Sequence, residues 1–291
     1  MITRQIVNTP DWIEDYLYPF DSRIMELSAG KMHYIDEGKG ETLLFVHGTP
    51  TWSFIYRKLI KELAADYRCI AIDHIGFGLS EKVEGFSGKP EDHSANLAEF
   101  IHRMNLRNIT LVVHDFGGPI GLGAGLQHTD RIKKVVLMNS WLWGTKEDPA
   151  AIKVDKIVNQ WLGKFMYLSM NFSAKVLFKQ AFSDKKLLSK EVHQHYLNPF
   201  PDKASRQPLL QLAQALVGSS DWYQAQWENL HKLADKEWLI LWGMNDPFLG
   251  ETYLERWKNR LPFAHIRELD SGHFVQEEKA NEVISAIREF L

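Results

Sequence analysis

Three side chains stand at turns that close strand-like runs, and together they are two acids and a base. Asp115 lies in His114-Asp115-Phe116-Gly117-Gly118 after the apolar run Ile109 to Val113. Asp246 lies in Asn245-Asp246-Pro247 after Trp238 to Trp242, and His273 lies in Ser271-Gly272-His273-Phe274. A side chain on a sharp strand-to-helix turn, with glycines that let the backbone pass closely, is exposed as a nucleophile. Taken alone, Asp115 reads equally as the N-cap of the helix signalled by Leu122 and Leu126 at i, i+4 spacing. The order nucleophile, second acid, histidine moves the balance toward nucleophilic catalysis. His47-Gly48-Thr49-Pro50, after the run Thr42 to Val46, stands where this arrangement supplies a second backbone N–H to an oxyanion.

These turns need rigid elements to hold them. Thr42 to Val46, Cys69 to Ile72, Ile109 to Val113, Lys134 to Met138 and Trp238 to Trp242 are continuous apolar runs. Continuous rather than alternating apolarity predicts parallel strands covered on both faces. Ile55, Leu59, Ile60 and Leu63, then Leu97, Phe100, Ile101 and Met104, carry helical spacing between them. Strand alternating with helix predicts an α/β fold with a doubly wound sheet, whose chemistry sits at the carboxyl ends of the strands. The interval 140–237 is far longer than one crossover helix requires. It reads as a helical cap inserted into a core formed by 1–139 and 238–291. Five of the ten tryptophans, Trp141, Trp143, Trp161, Trp222 and Trp227, fall inside it and suggest an apolar enclosure.

Composition excludes several functional classes. Lys+Arg 34 against Asp+Glu 37 gives a net charge of -3, so the footprint of a nucleic-acid binder is missing. The lone Cys69 reads as a small buried hydrophobe, compatible with a reducing compartment. Met1 to Gln5 opens no signal-peptide core, and no apolar stretch approaches the roughly 20 residues that span a bilayer. A cytoplasmic protein without a membrane partner is expected; the sequence leaves a homo-oligomer open. His193-Gln194-His195 places two histidines at i, i+2, on different faces of a helix and with no cysteine to complete a metal site, so solvent exposure is expected. Gly76 and Gly78 lie in a turn, Asp73 to Ser80, without the phosphate-binding pattern.

The motifs His47-Gly48-Thr49-Pro50-Thr51-Trp52-Ser53, Asp73-His74-Ile75-Gly76-Phe77-Gly78-Leu79-Ser80, His114-Asp115-Phe116-Gly117-Gly118, Met138-Asn139, Pro199-Phe200-Pro201-Asp202 and Gly272-His273-Phe274 together resemble the haloalkane dehalogenases of the α/β-hydrolase superfamily. The resemblance runs from about Thr9 to the C-terminus. It implies hydrolytic dehalogenation without cofactor or metal: Asp115 displaces halide and becomes an alkyl ester, and His273, oriented by Asp246, activates the water that hydrolyses it. Glu147 and Asp148 are rivals for the second acid. The backbone N–H groups of Thr49 and Phe116 are the expected oxyanion donors. Known dehalogenases usually place Trp directly after the nucleophile as a halide donor, where this chain has Phe116. An indole N–H of Trp141 or Trp143, with the Thr49 hydroxyl, is the expected replacement. The partners implied are a small apolar substrate, water and a halide ion. Alternatives are an epoxide hydrolase, which needs phenol donors such as Tyr167, Tyr196 or Tyr223, and a non-catalytic small-molecule receptor.

Overall fold

The five apolar runs form the centre of one sheet, because residues apolar on both sides of a strand must be covered on both faces. The computed structural model describes residues 5–6 and 9–291; the reading of Met1 to Arg4 lies outside them. The strands are β1 (Gln5–Ile6), β2 (Arg23–Leu27), β3 (Gly30–Glu37), β4 (Thr42–Val46), β5 (Arg68–Ile72), β6 (Ile109–His114), β7 (Ile132–Met138), β8 (Glu237–Gly243) and β9 (His265–Leu269). Their order is β1-β2-β3-β5-β4-β6-β7-β8-β9. From β5 onward every pairing is parallel, while β1, β2 and β3 add an antiparallel edge. Every residue of β4 and of β6 is buried. The strand order reverses at β4, which lies between β5 and β6, so a crevice opens at the carboxyl ends of β4 and β6. Thr49 and Asp115 follow those two ends.

The helices are α1 (Arg57–Leu63), α2 (Pro90–Arg103), α3 (Gly117–Gln127), α4 (Pro149–Val158), α5 (Trp161–Leu168), α6 (Phe178–Gln180), α7 (Lys190–Leu197), α8 (Gln207–Gly218), α9 (Ser220–Asn229), α10 (Glu251–Arg260), α11 (Val275–Glu278) and α12 (Ala280–Phe290). Between Met138 and Glu237 all described regular elements are helical, and a π-helical turn at Ser173–Leu177 runs into α6. Helices α4 and α5 both pack on α8.

Two seams join this helical layer to the sheet layer. In one, Trp143 and Trp227 meet Trp257 of α10 edge to face. In the other, the buried Arg57 of α1 pairs with Glu277 of α11, and the Tyr196 hydroxyl of α7 donates to the same carboxylate. Burial opposes ionising Glu277, but Arg57 outweighs it and holds the carboxyl below its usual range.

The structure corrects the reading of α7. His193 and His195 are buried rather than exposed. The helix is covered on two sides: His193 donates to the Ala174 carbonyl at 2.8 Å and stacks on Phe178, while His195 stacks on Phe54 with ring centroids 4.7 Å apart. Cys69 is buried as expected, and its surroundings push the thiol up to about 12.

Candidate active site

The turn after β6 forces Asp115 into the left-handed region, φ +54°, which only a sharp strand-to-helix reversal requires. The reversal is tight because α3 passes against β4: a Cβ on Gly117 would lie 2.1 Å from the Val46 carbonyl oxygen. Asp115 N–H donates to the Asn139 carbonyl, and the Ser140 hydroxyl donates to the Asp115 carbonyl at 2.6 Å. These bonds tie the backbone of the turn to the end of β7.

The two oxygens of the Asp115 carboxylate have different partners. Thr49 N–H donates to Oδ1 at 2.8 Å, while Oδ2 lies 3.5 Å from His273 Nε2. Gly48 is obligatory beside it, since a Cβ there would fall 2.1 Å from Oδ1. Phe116 caps α3, where the first N–H groups of a helix have no intrahelical acceptor, and it lines the same cavity as Thr49 from the turn after β6.

His47 holds the Gly48 end of this turn. Its Nδ1–H donates to the Gly48 carbonyl at 2.7 Å, and its Nε2 accepts the His74 N–H at 3.0 Å. Burial lowers the pKa of both imidazoles, keeping them neutral donors and acceptors.

On the far side of His273, Nδ1–H donates to Asp246 Oδ2 at 2.7 Å. Asp246 Oδ1 accepts the backbone N–H groups of Phe248 and Leu249, and Oδ2 also accepts Asn139 Nδ2–H at 2.8 Å. Burial opposes ionising Asp246, but His273 and these donors lower its pKa. Burial likewise opposes charging His273, yet Asp246 and Asp115 on its two sides raise it to about 10. His114 supports the histidine from below: its Nε2–H donates to the His273 carbonyl at 2.9 Å, and burial drives its own pKa to about 3.

The rivals for the second acid lie elsewhere. Asp148 caps α4 and accepts from the Tyr253 hydroxyl, and Glu147 is exposed. Asn139 is a site residue that spacing did not reveal. It stands at φ +25° and bridges β7 to β8, its side chain also accepting Gly243 N–H at 2.8 Å.

A cavity of about 270 Å³ opens above these groups, lined by Thr49, Asp115, Phe116, Trp141, Tyr167, His273 and a set of apolar side chains from α4, α8 and the 247–249 loop. Of the five cap tryptophans only Trp141 lines it. Trp143 lies instead in the seam with Trp227 and Trp257, under the Arg256 guanidinium. Trp161 points to the exterior, 78% exposed.

The Trp141 ring stands edge-on to Phe116 with centroids 4.8 Å apart. Its Nε1–H is buried and has no acceptor among the described residues, and the Thr49 hydroxyl is buried without a partner as well. The contrast within the protein is sharp: Trp52, Trp238, Trp242 and Trp257 each donate to a backbone carbonyl. A buried donor left unpaired costs about 1–3 kcal/mol, so its retention beside a cavity points to a ligand acceptor. Of the candidate phenols, Tyr167 lines the cavity, whereas Tyr196 donates to Glu277 and Tyr223 to the Ala215 carbonyl. Among the described residues no group of three or more His, Cys, Asp or Glu is placed to hold a metal ion.

Comparison with known proteins follows the same lines. Residues 41–280 match the family model of the alpha/beta hydrolase fold. A cis-3-alkyl-4-alkyloxetan-2-one decarboxylase of Shewanella oneidensis is 33% identical over 289 residues, covering 95% of this chain and 90% of the relative. Haloalkane dehalogenase 2 of Mycobacterium tuberculosis is 33% identical over 285 residues, 97% of each chain. The crystal structure of the haloalkane dehalogenase DatA from Agrobacterium tumefaciens superposes with a TM-score of 0.85 at 23% identity, covering 95% of this chain and 98% of that one. The chain therefore belongs to the haloalkane dehalogenase family of the α/β-hydrolase superfamily.

Proposed function

We propose that the protein hydrolyses the carbon–halogen bond of small apolar haloalkanes in two steps, through an ester on Asp115. The observation that carries this reading is the unpartnered Trp141 indole N–H in the cavity that holds the Asp115 carboxylate. Oδ1 is engaged by Thr49 N–H, so Oδ2 is the attacking oxygen. It forms the new C–O bond as the C–X pair leaves with the halide, which Trp141 Nε1–H and the Thr49 hydroxyl receive.

Esterification removes the charge of Asp115, one of the two that hold a proton on His273. With that charge gone the imidazolium gives up its Nε2 proton to solvent and becomes a usable base: Nε2 then takes a proton from water as the hydroxide attacks the ester carbonyl carbon of Asp115. The tetrahedral oxyanion is met by the Thr49 and Phe116 N–H groups, and His273 returns the proton to the departing alcohol. Asp246 keeps the imidazole in the tautomer this requires. Residues 140–237 act as the cap that keeps bulk water from the ester.

A second reading rests on Phe116, which gives the leaving group no side-chain N–H, and on the decarboxylase relative. In an oxetan-2-one, Asp115 would open the ring at the saturated carbon and leave a carboxylate on the neighbouring carbon. Loss of carbon dioxide from that carboxylate would then expel Asp115 and form an alkene, with no water consumed. Epoxide hydrolysis is less well supplied, since only Tyr167 of its three candidate phenols lines the cavity and the other phenol there, Tyr253, donates to Asp148.

The test is a His273→Phe variant. With a bromoalkane it should release about one equivalent of bromide and retain the alkyl mass on Asp115. The absence of both adduct and product would overturn a nucleophilic role for Asp115. Alkene and carbon dioxide from an oxetan-2-one, undiminished in that variant, would favour the second reading.

A further inference from the structure

Helix α5, Trp161-Leu162-Gly163-Lys164-Phe165-Met166-Tyr167-Leu168, carries a single charge and is apolar around nearly its whole circumference. Its inner side is accounted for, since Gly163 and Tyr167 are buried and Tyr167 lines the cavity. Its outer side is bare. Trp161 is 78% exposed, Leu162 and Phe165 are about half exposed, and Ile157 at the end of α4 and Met170 just beyond α5 are exposed with them. A helix apolar all round ordinarily has both sides covered, and five large bare side chains between positions 157 and 170 mark a surface that meets something apolar.

The surrounding charge decides what that is. Lys153, Lys156, Lys164 and Lys175 are exposed on the same helical segment, and none has a carboxylate within 4 Å among the described residues. From α4 to the start of α6, residues 149–178 hold four lysines against one aspartate, a charge of +3 in a chain whose net charge is -3. The segment is thus a basic, apolar plate on an otherwise acidic molecule. A second copy of the chain is a poor occupant, because a two-fold contact would bring together two faces of the same positive charge.

We propose that the outer face of α4 and α5 docks on an anionic lipid surface, with Trp161, Leu162 and Phe165 at the acyl boundary and the lysines among the headgroups. No helix crosses the membrane in this arrangement, and none is long and apolar enough to do so among the described residues. The same helices carry the consequence for the site. Ala150 and Val154 of α4 line the cavity, and Ile157 follows them at i+7 and i+3 on one helix face. Helix α4 thus borders the docked face through Ile157 and the chamber above Asp115 through Ala150 and Val154, so the proposal brings an apolar substrate dissolved in the bilayer to the wall of that chamber.

Vesicle co-sedimentation tests the proposal. The intact chain should sediment with phosphatidylcholine vesicles containing phosphatidylglycerol at low salt, and fall roughly tenfold or more in partitioning with phosphatidylcholine alone or in molar salt. Trp161→Ser with Phe165→Ser, and separately Lys156→Glu with Lys164→Glu, should each lose a similar factor while keeping the circular dichroism of the intact chain. No sedimentation with the anionic vesicles at low salt overturns the proposal, as does sedimentation unchanged in both variants. A concentration-dependent dimer that both variants abolish, without vesicle binding, also overturns it and assigns the face to a second copy.

Discussion

At the residue scale, the proposed reaction rests on two groups that are poorly matched to their surroundings until substrate or ester is present. Trp141 buries an indole N–H without an acceptor, and His273 stands between two carboxylates. Trp141→Phe keeps the ring that packs against Phe116 and Tyr223 but removes the donor. The expected result in single-turnover experiments is a bromide-forming step slowed on the order of tenfold to a hundredfold, with ester hydrolysis unchanged, since only the first step places charge on the halide. Equal slowing of both steps would mean that the indole acts through packing instead. Trp143→Phe should leave both steps unaltered, because that ring belongs to the Trp227 and Trp257 seam.

At the element scale, what could be read from sequence was what each element states by itself. β4 through β8 announce themselves because both faces are buried, and the turns after β4, β6 and β8 present Thr49, Asp115 and Asp246 in order. β2 and β3 were not visible: they form an edge pair in which charged residues such as Arg23, Glu26, Lys31 and Glu37 interrupt the apolar pattern. Within β3, the buried His33 is polar in sequence yet satisfied in space by Asp73 at 2.9 Å. Asn139 escaped for the same reason, since its role exists only where β7 and β8 come together at Asp246. His193 and His195 reversed because a two-sided burial of α7 depends on the N-terminal segment and the π-turn, neither of which α7 encodes. The tight packing at the Asp115 turn makes a direct test. Gly117→Ala forces a Cβ onto the Val46 carbonyl and should cost at least about 2 kcal/mol by urea denaturation. Gly218→Ala, at the exposed end of α8 with nothing within 4 Å, should instead be neutral or stabilise by up to about 1 kcal/mol.

At the scale of the whole molecule, buried imidazoles set how stability depends on pH. His47, His74, His93, His114 and His193 are buried, and desolvation lowers all five below 6.5. As pH falls below 6.5 the unfolded chain takes up protons at these positions that the folded chain refuses, so stability falls with them. His273 has the opposite sign. Its folded value, raised to about 10, means the folded chain keeps a proton that the unfolded chain loses above 6.5, so its contribution is complete below 6.5 and declines as pH rises. The carboxylates add only to the acid side: Glu277 and Asp246, both lowered, stabilise above their unfolded values of 4.5 and 3.8 and stop doing so as pH falls further. Stability should therefore peak near pH 6.5 and be lopsided, steep where five histidines titrate together and shallow where one does. On the shallow side the slope approaches about 1.4 kcal/mol per pH unit at most, clearest below about 8, where Lys82 begins to titrate in the folded chain and opposes it. Urea denaturation of the intact chain and of His273→Gln between pH 5 and 8 separates the two limbs, expected over roughly this range from the unfolded histidine value. The substitution should flatten the limb above 6.5 and leave the acid limb in place. An alkaline limb that survives in His273→Gln would show that the proton is not held between Asp115 and Asp246, and would remove the electrostatic reason for His273 becoming a base only after Asp115 is esterified.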